Sequence, residues 1–359
     1  MSASTRLHPW LEATWRRLLD LGERLPHALL FVGPPGVGKR DLAEALAARL
    51  LCDAPGADGH ACGACPACQW RLSGNHPDLL RVVPAADAAA AESGEGEGAA
   101  SAEPAAGKAK SAQIVIEQVR AVQEALSVTG HHGSRRVVIL DPAEAMNVFT
   151  ANALLKLLEE PPAGCVFLLV SSAPRRLLPT IRSRCQQWSF GRPADAEVAP
   201  WLAAHGNAAT PGLLALSGGL PLAAQRLAEQ GADGLLARFT REIAQLPEAD
   251  PLRLAGQWES WLKSKEALAA GFGMVQLVDW MQRWVADLAA LRLGGRVRFF
   301  PAQHEVLSAL AARCGVAAAC NCYNEFAQIR RVAQHPLNAR LMLEDMLMRY
   351  ARALTGPRP

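Results

Sequence analysis

The sequence predicts an α/β domain followed by an all-helical region, and three observations carry that prediction. Short apolar runs at 28–32, 79–83, 137–140 and 165–170 are widely spaced, with helical stretches between most of them. That rhythm fits a parallel sheet covered by helices. A glycine-rich turn, Gly33-Pro34-Pro35-Gly36-Val37-Gly38-Lys39, leads from the first run into a helix with Leu42, Ala45, Leu46, Arg49 and Leu50 at helical spacing. After Arg192-Pro193 strand signals almost vanish.

Taken in order, the first run feeds the glycine turn, and the helix that follows runs to residue 51. Gln187-Trp188-Ser189-Phe190 supplies a last strand. Residues 151–162 form a helix stopped by Pro161-Pro162. In the second half, helices are expected at 194–205, 211–216, 221–229, 274–293 and 337–354. Val278, Trp284 and Leu288 lie on the apolar face of the fourth of these, and Trp258, Trp261, Trp280 and Trp284 are expected to pack a core. Between 84 and 110 the chain turns to Ala, Glu, Gly and Ser, with no aromatic and no periodicity. Such a stretch buries too little apolar surface to offset its ordering entropy, so a disordered surface insertion is expected.

With 359 residues, two or three domains are expected. Half the residues are hydrophobic, a fifth are charged, and the net charge of +3 permits contact with nucleic acid without calling for it. No window approaches the roughly 20 apolar residues of a membrane span, so a cytoplasmic protein without membrane partners is expected.

The turn at 33–39 has the G-x-x-x-x-G-K form of a phosphate-binding loop, in the strand–loop–helix context such a loop requires. Gly33, Gly36 and Gly38 let backbone N–H groups turn inward around phosphate oxygens, and Lys39 adds a point charge. Position 40 should carry the Ser or Thr hydroxyl that ligates Mg²⁺, yet it is Arg40. At the end of the 137–140 run, Asp141 stands where a metal-side carboxylate belongs, but Pro142 follows in place of the residue that polarises water. Glu144 lies two residues further on and is expected to point elsewhere. Two catalytic positions in separate motifs are therefore lost. Gly33, Gly38 and Lys39 keep what is needed to hold ATP or ADP without cleaving it, whereas Arg40 either contacts a phosphate or fills the pocket.

Cys52, Cys62, Cys65 and Cys68 follow a C-x9-C-x2-C-x2-C spacing. That spacing brings four thiolates close enough for tetrahedral Zn²⁺, and four cysteines leave no open position, so the site is read as structural. His60 and His76 flank the cluster and are read as surface residues, and Cys165, Cys185, Cys314, Cys320 and Cys322 as small core hydrophobes. Ile181-Arg182-Ser183-Arg184-Cys185 places an arginine just before a strand, where it can reach across an interface to a neighbour's γ-phosphate. On spacing alone, a solvated or salt-bridged Arg184 is the better reading.

Together these pieces resemble bacterial clamp-loader subunits of the AAA+ class. Asn152-Ala153-Leu154-Leu155-Lys156-Leu157-Leu158-Glu159-Glu160-Pro161-Pro162 and Ser183-Arg184-Cys185 resemble the two most distinctive signatures of that family. The cysteine module, His76-Pro77-Asp78-Leu79, and Leu337-Asn338-Ala339-Arg340-Leu341 fit the same pattern, so the resemblance covers nearly the whole chain. It implies an AAA+ domain over 1–191, with a zinc module at 52–68 and the insertion at about 85–111. A small helical lid over 192–242 and a helical collar over 243–359 complete it. Motor subunits of the family carry intact P-loop, Asp-Glu and C-terminal Arg sensor motifs. Here Arg40 and Pro142 depart from the first two, and in Gly218-Gly219-Leu220-Pro221 the proline stands where the sensor Arg would be. These departures resemble the delta-prime type, the non-hydrolysing stator of the DNA polymerase III holoenzyme.

The resemblance implies a hetero-pentamer with motor (gamma/tau) and delta subunits, a sliding clamp and primed DNA as further partners, and a place at the replisome. It also gives Arg184 the role of an arginine finger acting in trans. Two other readings stay open at this stage: an active AAA+ ATPase, such as a motor subunit of the same loader, and a zinc-dependent DNA-binding protein. The second predicts tight, salt-dependent DNA binding. The absence of a dense basic stripe with interleaved aromatics speaks against it.

Overall fold

A computed structural model describes residues 7–86, 111–127, 135–204, 211–246, 248–333 and 338–355. The expected insertion falls almost entirely on 87–110, outside the described residues. The chain divides into two compact units, Met1–Ala194 and Asp195–Pro359.

The first unit is built on five parallel strands, β1 (Ala28–Val32), β2 (Leu79–Val82), β3 (Arg136–Leu140), β4 (Cys165–Ser171) and β5 (Gln186–Ser189), in the order β2-β3-β4-β1-β5. All five runs read from the sequence are strands. The central strands β1, β3 and β4 were visible because a parallel sheet buried on both faces needs apolar residues at every position rather than at alternate ones. All seven residues of β4 are buried, whereas the edge strands β2 and β5 carry exposed residues. Leu30, Val138, Leu140, Phe167 and Leu169 share one buried cluster with residues of the helices Ile116–Ser127 and Val148–Glu159. The alternate residues Leu29, Phe31, Ile139 and Leu168 are equally buried, and the helix Lys39–Leu51 packs against β1, β3 and β4.

The strand order reverses at β1, which lies between β4 and β5. In a parallel sheet the crevice beyond the carboxyl end of such a strand is where ligands bind. The glycine loop leaves β1 at that end, and Asp141 and Ser172 follow directly after β3 and β4.

The Val148–Glu159 helix starts three residues earlier than its sequence pattern. Asn147 caps it by accepting a hydrogen bond from the Thr150 N–H at 2.9 Å.

The second unit contains no strand among the described residues. Helices at Pro211–Leu216 and Pro221–Glu229 match their expected bounds, and Asp195–Ala204, Met274–Arg292 and Ala339–Thr355 match within two residues at each described end. Expected positions 205 and 337 lie outside the described residues. Its buried side chains form one cluster from Leu213 to Leu354, including Trp258, Trp261, Trp280 and Trp284. Phe239 sits at its centre, with Trp258, Trp280, Trp284 and Phe300 ring centroids 5.7–6.1 Å away. Phe239→Ala is expected to cost about 3–5 kcal/mol of this unit's stability, read as a lower urea midpoint for its tryptophan fluorescence.

Among the described residues no single helix is long and apolar enough to cross a membrane.

Candidate functional site

Gly36 (φ 87°) and Gly38 (φ 92°) take the left-handed conformations that wrap the loop, and Gly38 caps the Lys39–Leu51 helix. Lys39 is buried. Its Nζ donates to the Gly33 and Pro34 carbonyl oxygens, both at 2.8 Å, and to Ser172 Oγ at 3.1 Å. The lysine charge is thus turned into the loop that holds it.

Arg40 makes the more consequential contact. Its Nε lies 3.3 Å from Asp141 Oδ2, with the arginine 62% and the aspartate 14% exposed. In a hydrolysing P-loop, a hydroxyl at position 40 and the carboxylate after β3 share a Mg²⁺ ion. In this chain the guanidinium itself joins those two positions.

Glu144 departs from its expected orientation. The short 3-10 turn Ala143–Ala145 folds it back toward the pocket, where Oε1 accepts a hydrogen bond from the Ser172 N–H at 3.0 Å. Its Oε2 is buried without a hydrogen-bond partner. The residue is half-buried, with one carboxylate oxygen engaged by the backbone after β4. Ser172 was missed in the sequence, although its place just after a fully buried strand would have flagged it; it meets both Lys39 and Glu144.

The approach to the loop is also occupied. Trp10 Nε1 donates to the Val37 carbonyl oxygen at 2.9 Å, His8 Nε2 lies 3.1 Å from Asp41 Oδ2, and the two rings stack at 4.9 Å. A Cβ on Gly38 would come within 2.9 Å of both His8 and Leu11. No motif announced this strap.

Cys52, Cys62, Cys65 and Cys68 converge, their four sulfurs all within 4.8 Å of one another. Cys52 and Cys65 Sγ are 3.9 Å apart, and Cys62 and Cys68 Sγ 4.0 Å. A tetrahedron with metal–sulfur bonds of about 2.3 Å has edges of about 3.8 Å, so the four thiols are placed to hold a metal ion. Backbone N–H groups of Ala64 and Cys65 point at Cys62 Sγ (3.5 and 3.3 Å) and lower its pKa to about 6. Burial pushes Cys68, in the first turn of the helix Pro66–Leu72, up to about 12. A bound cation would offset that second effect by stabilising the thiolate.

Neither flanking histidine joins the cluster. His60 stacks on Trp15 with ring centroids 4.9 Å apart. His76 is buried, contrary to its reading as a surface residue; its Nδ1 accepts a hydrogen bond from the Asp78 N–H at 3.1 Å in the turn entering β2. Of the other cysteines, Cys165, Cys185, Cys314 and Cys322 are buried, while Cys320 is half-buried.

Arg184 lies at the opposite end of the sheet from the glycine loop. It closes the helix Pro179–Arg184 just before β5, whose Gln186 pairs with Leu29 and Ser189 with Val32. The length of β5, at about 3.3 Å per residue, therefore separates it from its own loop. The side chain is 35% exposed. The structure brings Gly33, Gly36, Gly38, Lys39, Arg40 and Asp141 together, brings the four cysteines together, and sets Arg184 apart from both groups.

Comparison with known proteins agrees across the chain. The family model described as DNA polymerase III, delta subunit, matches residues 14–194. The DNA polymerase III subunit delta' of Pseudomonas aeruginosa is 36% identical over 363 residues, 98% of this chain and 99% of that protein. The subunit of the same name from Escherichia coli K12 is 35% identical over 62% of this chain and 61% of its own length. The Bacillus subtilis DNA polymerase III subunit tau is 28% identical over 48% of this chain and 26% of its own.

Proposed function

The chain belongs to the delta-prime family of DNA polymerase III subunits, and on that premise we propose that it is the non-hydrolysing stator of a clamp loader. It joins motor (gamma/tau) and delta subunits in a hetero-pentamer that opens a sliding clamp and places it on primed DNA. The observation that carries the reading is the Arg40–Asp141 ion pair, a protein cation where a motor would hold Mg²⁺. Pro142 supplies no base, and Oε1 of Glu144 is engaged by the Ser172 N–H rather than standing in the position after Asp141, so we assign no general base to this pocket. ATP or ADP held by Gly33, Gly36, Gly38 and Lys39 stays intact.

The chemistry of the subunit is then done elsewhere. In the neighbouring ATP site water attacks the γ-phosphorus, the bond to the departing ADP oxygen breaks, and negative charge spreads over the phosphoryl oxygens. Arg184, remote from its own loop and exposed at the edge of the sheet, is suited to meet that charge. The four cysteines hold a structural Zn²⁺ that pins the 52–68 segment beside the Lys39–Leu51 helix. Residues 192–242 serve as the lid and 243–359 as the collar that joins the subunits.

Two experiments test this. Rebuilt with cognate delta and motor subunits, the loader should show DNA-stimulated ATP turnover that needs this chain; equal turnover without it would contradict the role. Arg40→Thr frees Asp141 and returns a hydroxyl to the metal position. It is expected to make ADP binding about tenfold tighter in Mg²⁺ than in EDTA, the equivalent of about 1.4 kcal/mol, read by titration of a fluorescent analogue. A variant indifferent to Mg²⁺ would mean that Arg40 does not stand in for the ion.

A further inference from the structure

The Arg184 guanidinium has two anchors. Its Nη1 donates to the Thr180 carbonyl oxygen at 3.1 Å, and its Nη2 lies 2.5 Å from Glu159 Oε1. Glu159 is the last residue of the helix Val148–Glu159, so one ion pair ties the Asn152–Pro162 segment to Ser183-Arg184-Cys185. Ile181 and Cys185 share a buried cluster with Leu154, Leu157 and Leu158, and the two helices are in contact. The backbone on each side of the pair is therefore set by core packing.

Helix stability does not account for a carboxylate at position 159. A negative charge in the last turn opposes the helix dipole, and Pro161-Pro162 already stop the helix. Arg182, in the same short helix, has its Nε buried, so of the two arginines in this motif Arg184 is the one open to an incoming group. A guanidinium has five N–H donors in one plane. With one bound to Thr180 and one to Glu159, three are left for a phosphate.

We propose that Glu159 is the positioning residue of the arginine finger. It holds the Arg184 guanidinium, together with the Thr180 carbonyl, in one plane and at one place on the subunit edge before a neighbour docks. A long side chain free in water would have to lose its rotamer freedom when the phosphate arrives; a fork already fixed loses less. The ion pair is about half-exposed, 35% on the arginine and 49% on the glutamate. Its strength is that of a surface pair, enough to bias the resting place of the guanidinium while its remaining donors stay open. This inference rests on the reading of Arg184 as a group acting in trans.

The test uses loaders rebuilt with Glu159→Gln, Glu159→Asp, Arg184→Ala, and Glu159→Gln combined with Arg184→Ala. DNA-stimulated ATP turnover is followed against ATP concentration, and the melting temperature of each variant chain is taken alongside. Glu159→Gln is expected to lower kcat about three- to fivefold at the site Arg184 serves, with KM unchanged. Glu159→Asp should fall between Glu159→Gln and the native chain, and the double variant should be no slower than Arg184→Ala. Should Gln unfold the chain, the Asp variant and its KM-against-kcat split carry the same test. Native kcat in Glu159→Gln beside a slow Arg184→Ala overturns the proposal, as do losses that add in the double variant. Native turnover in Arg184→Ala instead overturns the finger reading itself, so the two failures are distinguishable.

Discussion

In a loader rebuilt with Arg184→Ala, ATP hydrolysis at the neighbouring site is expected to fall by roughly 10³–10⁵-fold, the range of a lost arginine finger. Single-turnover phosphate release would show one class of site that stays loaded with ATP, and clamp loading would fall with it. Complex assembly, followed by gel filtration, should be intact. Arg184 is exposed at the end of a short helix anchored by buried Ile181 and Cys185, so its truncation opens no cavity. The size of the effect follows from where charge builds up. In the proposed role the guanidinium meets phosphoryl oxygens whose charge grows in the transition state, so its removal is expected to fall on kcat more than on nucleotide affinity. Unchanged phosphate release from a fully assembled variant loader would remove Arg184 from the mechanism.

The second large effect concerns the cysteine cluster. Between Cys52 and the helix Pro66–Leu72 the chain has no strand and no longer helix, and Cys68 and Ala67 are among its few buried apolar residues. A seven-residue helix has little stability of its own. A four-thiolate zinc site contributes about 10–16 kcal/mol of apparent binding energy, more than enough to decide whether such a segment is folded. Purified chain is expected to release one equivalent of zinc when its thiols are titrated with a mercurial. Cys68→Ser, or exhaustive chelation, should then abolish amide protection across 52–72 while β1, β3 and β4 stay protected. Protection in 52–72 that is indifferent to chelation would show that the thiols act as free cysteines.

Much of the first unit was legible because its physics is local. Runs such as Val137-Val138-Ile139-Leu140 read as strands because both faces of the sheet are covered, and the cysteine spacing encodes a ligand geometry directly. Losses at positions 40 and 142 were equally plain, since a hydroxyl and a carboxylate have no substitutes among Arg and Pro. What the sequence left hidden are side-chain meetings across long stretches of chain. Arg40 finds Asp141, Lys39 finds Ser172, Glu144 folds back to the Ser172 N–H, and Glu159 finds Arg184. No periodicity records such pairs. His76 misled for the opposite reason: a polar residue beside a loop reads as exposed, yet its ring accepts the Asp78 N–H at the entrance of β2 and is buried there.

The Arg40–Asp141 pair also changes how the glycine loop is understood. Read in the sequence, the loop keeps the glycines and lysine that hold a nucleotide but, with Arg40 and Pro142, lacks the groups that cleave one. In the structure, Lys39 bonds to the loop carbonyls, Arg40 to the metal-side carboxylate, and Trp10 to the loop itself. The loop has kept its backbone form while its charged groups have been turned to holding the fold. That division, a glycine loop with its charges paired internally at one end of the sheet and an exposed arginine at the other, is the core of the account.

Its most direct test is phosphate release by the purified chain alone, in saturating ATP and Mg²⁺, beside the motor subunits under the same conditions. No release above the protein-free background is predicted for this chain. Turnover that disappears in Lys39→Ala would contradict the account and make the chain a motor in its own right.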